Sequence, residues 1–121
     1  MQEKPKQLLV LFAAAPARQE VHWRPPVDVY RTPDGWLLKF ELAGVRLEDI
    51  SIHRQGGRVT VSGVRRDWVL EEGYHHHLME IAYSRFERTV ELPWDPGDVN
   101  IGVEYRDGIL LIRLSEMRIR G

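Results

Sequence analysis

The chain contains no cysteine, so disulfides, thiolate metal sites and thiol nucleophiles are excluded together. It also lacks an excess of charge of either sign, with eighteen acidic residues against seventeen basic ones. The three lysines and fourteen arginines are scattered among the acids, which removes the clustered basic footprint that nucleic acid demands. No apolar run is long enough to cross a bilayer: residues 8–15 make eight, against the roughly 20 that a spanning helix needs. Lys4 and Lys6 precede that run, but Glu3 sits where a secretory signal prefers positive charge, and eight residues barely reach the length of a signal's hydrophobic region. Residues 1–24 therefore read as a partly apolar N-terminal arm, with 8–15 as a short helix stopped by Pro16. A cytoplasmic location is the expectation that accords with the lack of cysteine.

Catalytic machinery is scarce as well. Gly56-Gly57 lies between two strand-like runs instead of opening a helix, so it is no phosphate loop. Ser51, Ser62, Ser84 and Ser115 lie in or beside such runs, without the strand–turn–helix setting of a nucleophile elbow. Asp67, Glu71, Glu72 and Glu80 are neighbours in sequence, but an acid–base pair needs a cleft that drives its pKa values apart. His75-His76-His77 invites a metal reading; adjacent strand residues point alternately, so at most two face one ion, and a solvated loop is favoured. No reaction, metal or cofactor is expected.

What the chain does have is alternation. With 43% hydrophobic residues in 121, it can bury one core but not two. Pro25-Pro26 closes the arm, and from Val27 onward the period is two. Trp36, Leu38, Phe40 and Leu42 share one face, with Lys39 and Glu41 on the other. Ile50 and Ile52, Val59 and Val61, then Phe86, Val90 and Leu92 repeat the pattern. Val99, Ile101, Val103 and Tyr105, then Leu110, Ile112 and Leu114 complete it. Pro33-Asp34-Gly35, Gln55-Gly56-Gly57 and Asp95-Pro96-Gly97 supply turns, and Asp107-Gly108 between two apolar runs is a strong hairpin signal. Short strands without a long helical pattern predict an all-β domain over residues 25–115, a sandwich or a barrel, whose connections are too short for a parallel sheet. Residues 64–82 interrupt the rhythm. That loop is long and carries Trp68, Val69, Leu70 and Tyr74, so it is expected to pack on something, such as another subunit.

Four pieces of this sequence, in order, resemble the alpha-crystallin domain of small heat-shock proteins. The first is Phe40-Glu41-Leu42-Ala43-Gly44-Val45 followed by Glu48-Asp49-Ile50. The second is Val59-Thr60-Val61-Ser62-Gly63-Val64-Arg65, which ends in Gly-x-Arg. The third runs from Glu80-Ile81-Ala82-Tyr83-Ser84-Arg85-Phe86-Glu87-Arg88 to Leu92-Pro93, and the fourth is Val103-Glu104-Tyr105-Arg106-Asp107-Gly108-Ile109-Leu110. Together they cover about 90 of the 121 residues. The chain departs from the family pattern in having Ala43-Gly44 for Pro-Gly, Ser84 for Gly, and Leu114-Ser115-Glu116 for Leu-Pro-Lys.

The resemblance implies an antiparallel, immunoglobulin-like β-sandwich, dimeric as its basic unit, that holds unfolding proteins without ATP. In bacterial and plant members the long loop carries a short strand that pairs with the partner subunit, and residues 64–82 have the matching position. Many members also dock an Ile-x-Ile/Val motif of a C-terminal extension on a neighbouring dimer. Here residues 116–121 follow the last strand, and Met117-Arg118-Ile119 is a degenerate version, so a dimer or small oligomer is expected.

Site residues follow from the same reading. Ile50, Ile52, Ile101 and Val103 match the family's peptide-accepting groove, and their parity fits plain core equally well. Arg88 shares the parity of Phe86, Val90 and Leu92. An inward arginine needs carboxylate partners, with Asp28 or Glu80 as candidates at or near a dimer interface, unless it snorkels at the sheet edge. Trp68, Val69, Leu70 and Tyr74 join it there. Leu8, Leu9, Val10, Leu11 and Phe12 with Trp23 form the candidate client-binding arm. The expected partners are non-native proteins and a second copy of the chain. The alternative is a co-chaperone or adaptor sandwich binding one native partner, a type that generally lacks the long loop.

Overall fold

The computed structural model describes the backbone of Val10–Leu11 and residues 20–117, with side chains from residue 20 on. Its elements are β1 (Val10–Leu11), β2 (Val27–Thr32), β3 (Gly35–Glu41), a 3-10 turn (Leu47–Asp49), β4 (Ile50–Gln55), β5 (Arg58–Arg65), β6 (Ser84–Glu91), β7 (Val99–Arg106) and β8 (Ile109–Glu116). They form two four-stranded sheets, ordered β1-β4-β5-β6 and β2-β3-β8-β7. Every strand pair is antiparallel except β1 with β4. The all-β sandwich is thus observed, and the barrel alternative falls away.

Period two explains the core. Trp36, Leu38, Phe40 and Leu42 from one sheet meet Ile50, Ile52, Val59, Val61 and Phe86 from the other, and Leu110, Ile112 and Leu114 close the middle. All are buried. Each such side chain contributes roughly 1.5–3 kcal/mol by leaving water.

Two glycines answer to local geometry. Asp107 (φ +53°) and Gly108 (φ +79°) form the two-residue turn between β7 and β8, and positive φ at both positions matches the right-handed twist of the strands. Gly63 lies where β5 passes the 3-10 turn: a Cβ there would stand 2.0 Å from the Asp49 carbonyl oxygen and 2.8 Å from Phe86 Cζ. Only glycine fits.

Two expectations need correction. The run 8–15 is not helical at Val10–Leu11, which pair with Ile52 and His53 instead. So short a stretch cannot nucleate a stable helix, and a sheet edge offers its backbone ready partners. The long loop starts later than expected, because Val64 and Arg65 extend β5 opposite Arg85 and Ser84, leaving residues 66–83 between strands.

Candidate functional site

The sandwich's edges and its long loop concentrate the features a binding protein needs. β4 ends one sheet of the domain proper and β7 ends the other. Two ties hold them side by side. At one end the Arg54 guanidinium donates to the Gly97 carbonyl (2.6 Å) and pairs with Asp95 (3.3 Å). At the other end the Tyr105 hydroxyl lies 2.7 Å from the Leu42 carbonyl and 2.6 Å from that of Val45, its proton serving either. The β4 and β7 edges are thus tied to neighbouring segments at both ends of the sandwich. Ile50 and Ile52 face inward and are buried, at 5% and 1% exposure, while Ile101 and Val103 are half-buried against the same core. Ile50 and Ile52 thus belong to the core, and Ile101 and Val103 lie at its margin.

The β6 edge is covered differently. Trp23 bridges Phe86 in parallel, His22 N–H donates to the Arg85 carbonyl (2.9 Å), and Glu87 N–H donates to the Trp23 carbonyl (3.3 Å). The Trp23 ring stacks at 5.1 Å on Phe86, and its Nε1–H donates to the Ser84 carbonyl (3.1 Å). The Arg65 guanidinium lies 4.1 Å over the same ring and donates to the carbonyls of Ala82 (2.8 Å) and Ala43 (3.1 Å). Arg65 fastens the end of the long loop, and Arg66 on Asp49 (3.0 Å) fastens its start.

Between those fastenings the loop lies open. Trp68 is 79% exposed, and Val69, Leu70, Tyr74, Leu78, Met79 and Ile81 are each more than half exposed. Within the single chain, residues 66–83 hold no strand. β2 is the other bare region: Val29 and Tyr30 are exposed, and its outer side has no partner strand among the described residues.

Arg88 pairs with neither Asp28 nor Glu80 within the chain. Asp28 pairs with Lys39 (3.6 Å), and Glu80 stands exposed in the loop. Arg88 donates weakly to the Pro25 carbonyl (3.4 Å), and its Nε is buried without a partner. The sheet pairing sets this: Arg88 faces Val61 on the inner side of β5, where no carboxylate stands. Lys39 is held above the usual lysine pKa, first by its contact with the Tyr30 hydroxyl and then by Asp28; Arg66 is raised by its bond to Asp49.

Of the arm residues, Trp23 is the clamp described above and Val10–Leu11 form β1; Leu8, Leu9 and Phe12 lie outside the described residues, as do Arg118 and Ile119. His75, His76 and His77 are exposed, and no three His, Asp or Glu side chains converge among the described residues. No helix among them is long and apolar enough to cross a membrane. Sequence reasoning missed three arginines. Arg54 and Arg65 brace the site, and Arg31 packs between Trp36 (5.0 Å) and Trp94 (4.5 Å). Only Arg65 had a signal, the Gly-x-Arg ending of its strand.

The family model of the Hsp20/alpha crystallin family matches residues 28–119. The chain belongs to this family. Small heat shock protein C2 of Rickettsia felis is 30% identical to it over 92 residues, which cover 76% of this chain and 60% of that protein. The 22.7 kDa class IV heat shock protein of Pisum sativum is 30% identical over 99 residues, covering 78% of this chain and 50% of that one. The chain thus spans only about half to three-fifths of the length of these relatives. Among solved structures, HSP18.5 from E. histolytica superposes with a TM-score of 0.63 at 29% identity, covering 78% of this chain and 88% of that one. Heat shock protein 16.0 from Schizosaccharomyces pombe gives 0.67 at 22% identity, covering 82% and 94%, and supports the fold. Within this Hsp20/alpha crystallin domain Ser84 opens β6 with φ +73°, a conformation that costs most residues energy.

Proposed function

We propose that this chain is an ATP-independent chaperone of the holdase kind, which binds apolar segments of unfolding proteins and slows their aggregation. The observation that carries the reading is the loop of residues 66–83, with seven large apolar side chains open to water on a sandwich that has free strand edges. Contiguous exposed apolar surface marks an interaction site, and a free edge accepts an extended chain through its backbone. Family membership supports a chaperone role and a non-catalytic one. The adaptor alternative has nothing in its favour, since it expects no long loop.

The same loop serves self-association. Its apolar residues gain cover by lying along the bare β2 edge of a second copy, beside Val29 and Tyr30, where Trp68, Val69, Leu70 and Tyr74 leave water. Arg88, half-buried with its Nε unpaired, gains a carboxylate if the partner's loop brings one near. The β4–β7 groove, floored by Ile50 and Ile52 and flanked by Ile101 and Val103, takes an extended apolar strand.

The test joins solution mass with protection. The full chain is expected to run as a dimer or larger and to suppress heat aggregation of an unrelated labile protein with no ATP present. A monomer that gives no protection sinks the proposal.

A further inference from the structure

Arg65 is a half-buried cation with no carboxylate beside it: none of the ion pairs among the described residues includes it. Its charge is met instead by two carbonyls and two rings, which come from three separate segments. Nε and Nη2 both donate to the Ala82 carbonyl at the end of the long loop, and Nη1 donates to that of Ala43 after β3. The guanidinium carbon stands 4.1 Å from the centre of the Trp23 ring and 5.7 Å from that of Tyr83. Trp23 belongs to the arm and Tyr83 to the loop, and no ring-to-ring contact joins the two among the described residues.

We propose that Arg65 is a positioning residue that couples the arm to the loop: docking of Trp23 and fastening of Ala82–Tyr83 share one guanidinium, so release of either segment loosens the other. The coupling stands on its own, while its bearing on binding rests on the loop being the interaction surface proposed above.

The chemistry of the group explains the coupling. A guanidinium is planar, donates in that plane through a rigid fork and stacks through its face. The Ala82 and Ala43 bonds fix the plane, and a fixed plane is what holds the face against the indole. The indole in turn shields the cation from water, at a cost that the bonds to the carbonyls offset. Each contact thus strengthens the other, and linkage makes the effect equal in both directions. Ser84 adds a second route to the same point. Its carbonyl accepts from Trp23 Nε1–H, and its φ of +73° sets the bend between the loop and β6. Because the loop's last residues hang on a group that the arm helps to hold, a pull on the arm at Trp23 is felt at Leu78, Met79 and Ile81, which are open to water.

The chain has no cysteine, so a nitroxide on Glu80→Cys, an exposed position close to Ala82, reports the loop's end alone. In the full chain carrying that label, Trp23→Ala is expected to shorten the nitroxide's correlation time roughly twofold or more. In the unlabelled chain, Tyr83→Ala is expected to speed hydrogen exchange at His22 and Trp23, whose N–H groups bond the Arg85 carbonyl, roughly threefold or more. Exchange at 110–114 in β8 should be unchanged in both, which shows the sandwich intact. In an Arg65→Met background both effects should fall to less than half, the remainder passing through Ser84. An unchanged nitroxide in Trp23→Ala, or unchanged exchange in Tyr83→Ala, overturns the proposal. Effects of full size in the Arg65→Met background overturn it too, because Ser84 would then carry the coupling. If Arg65→Met does not fold, Arg65→Lys serves in its place, since it keeps the charge but loses the fork. None of these readouts involves a client or a second copy. A monomer that gives no protection therefore leaves the coupling standing, and a protective dimer without the coupling sinks this proposal alone.

Discussion

The two sheets treat their edges in opposite ways. The β4-β5-β6 sheet has both flanks covered by its own N-terminal residues, Val10–Leu11 at β4 and His22–Trp23 at β6. The β2-β3-β8-β7 sheet ends in β2 and β7, which have no further strand beside them among the described residues. Open edges invite pairing with other chains, so the difference assigns separate tasks. The covered sheet has neighbours at both flanks, while β2 is the edge at which pairing would need nothing displaced.

The hardest blow to the covered sheet is Gly63→Ala. A methyl group 2.0 Å from the Asp49 carbonyl cannot be housed without moving backbone, and a loss of about 3 kcal/mol is expected, read by urea unfolding. A loss below 1 kcal/mol would show that β5 and the 3-10 turn separate freely. Next comes Trp23→Ala, which removes the Phe86 stack, the bond to Ser84 and the Arg65 contact. It should cost about 2 kcal/mol and raise exchange along β6 before β8. Uniform change in both sheets would mean that Trp23 is not an edge clamp.

Ser84→Gly works in the other direction. Relieving φ +73° at the start of β6 is expected to add about 1 kcal/mol, seen as a higher Tm; an unchanged Tm would mean that the neighbours relax to suit serine. On the open sheet, Val29→Lys should shift unfolding by less than about 0.5 kcal/mol, as exposed changes do, while lowering the apparent mass in solution. Unchanged mass would remove β2 as the contact.

The smallest effect is electrostatic. Lys39 on the open sheet has its pKa raised by Tyr30 and Asp28. A raised lysine pKa means stability that is fully present below the unfolded value of about 10.4 and is lost as pH rises through the folded one. Lys39→Met should therefore lose this small contribution at neutral pH and flatten the alkaline fall of the stability profile, the two proteins converging above the folded pKa; an alkaline fall as steep as that of the wild type would contradict this.

Much of this molecule was legible beforehand because a buried sheet face demands alternation. The Trp36–Leu38–Phe40–Leu42 and Leu110–Ile112–Leu114 runs, the Asp107-Gly108 turn and the long apolar loop all announce themselves, since burial and turn dihedrals act on neighbours in sequence. Arg88 shows the limit. Its parity placed it inward, as found, but the carboxylates proposed for it stand elsewhere: sheet register gives Asp28 to Lys39 and Glu80 stands exposed in the loop, and side-chain patterns encode neither.

By itself, then, the sequence determined which faces are apolar, where the chain turns and that one all-β domain results. Only the tertiary structure decided that Val10–Leu11 pair with part of the β4 edge, that Trp23 and Arg65 lock the β6 edge, and that Arg54 and Tyr105 bond to the Gly97, Leu42 and Val45 carbonyls. The reason is physical: period and turn chemistry are local, whereas an edge is covered or left bare by whichever distant segment satisfies its backbone groups.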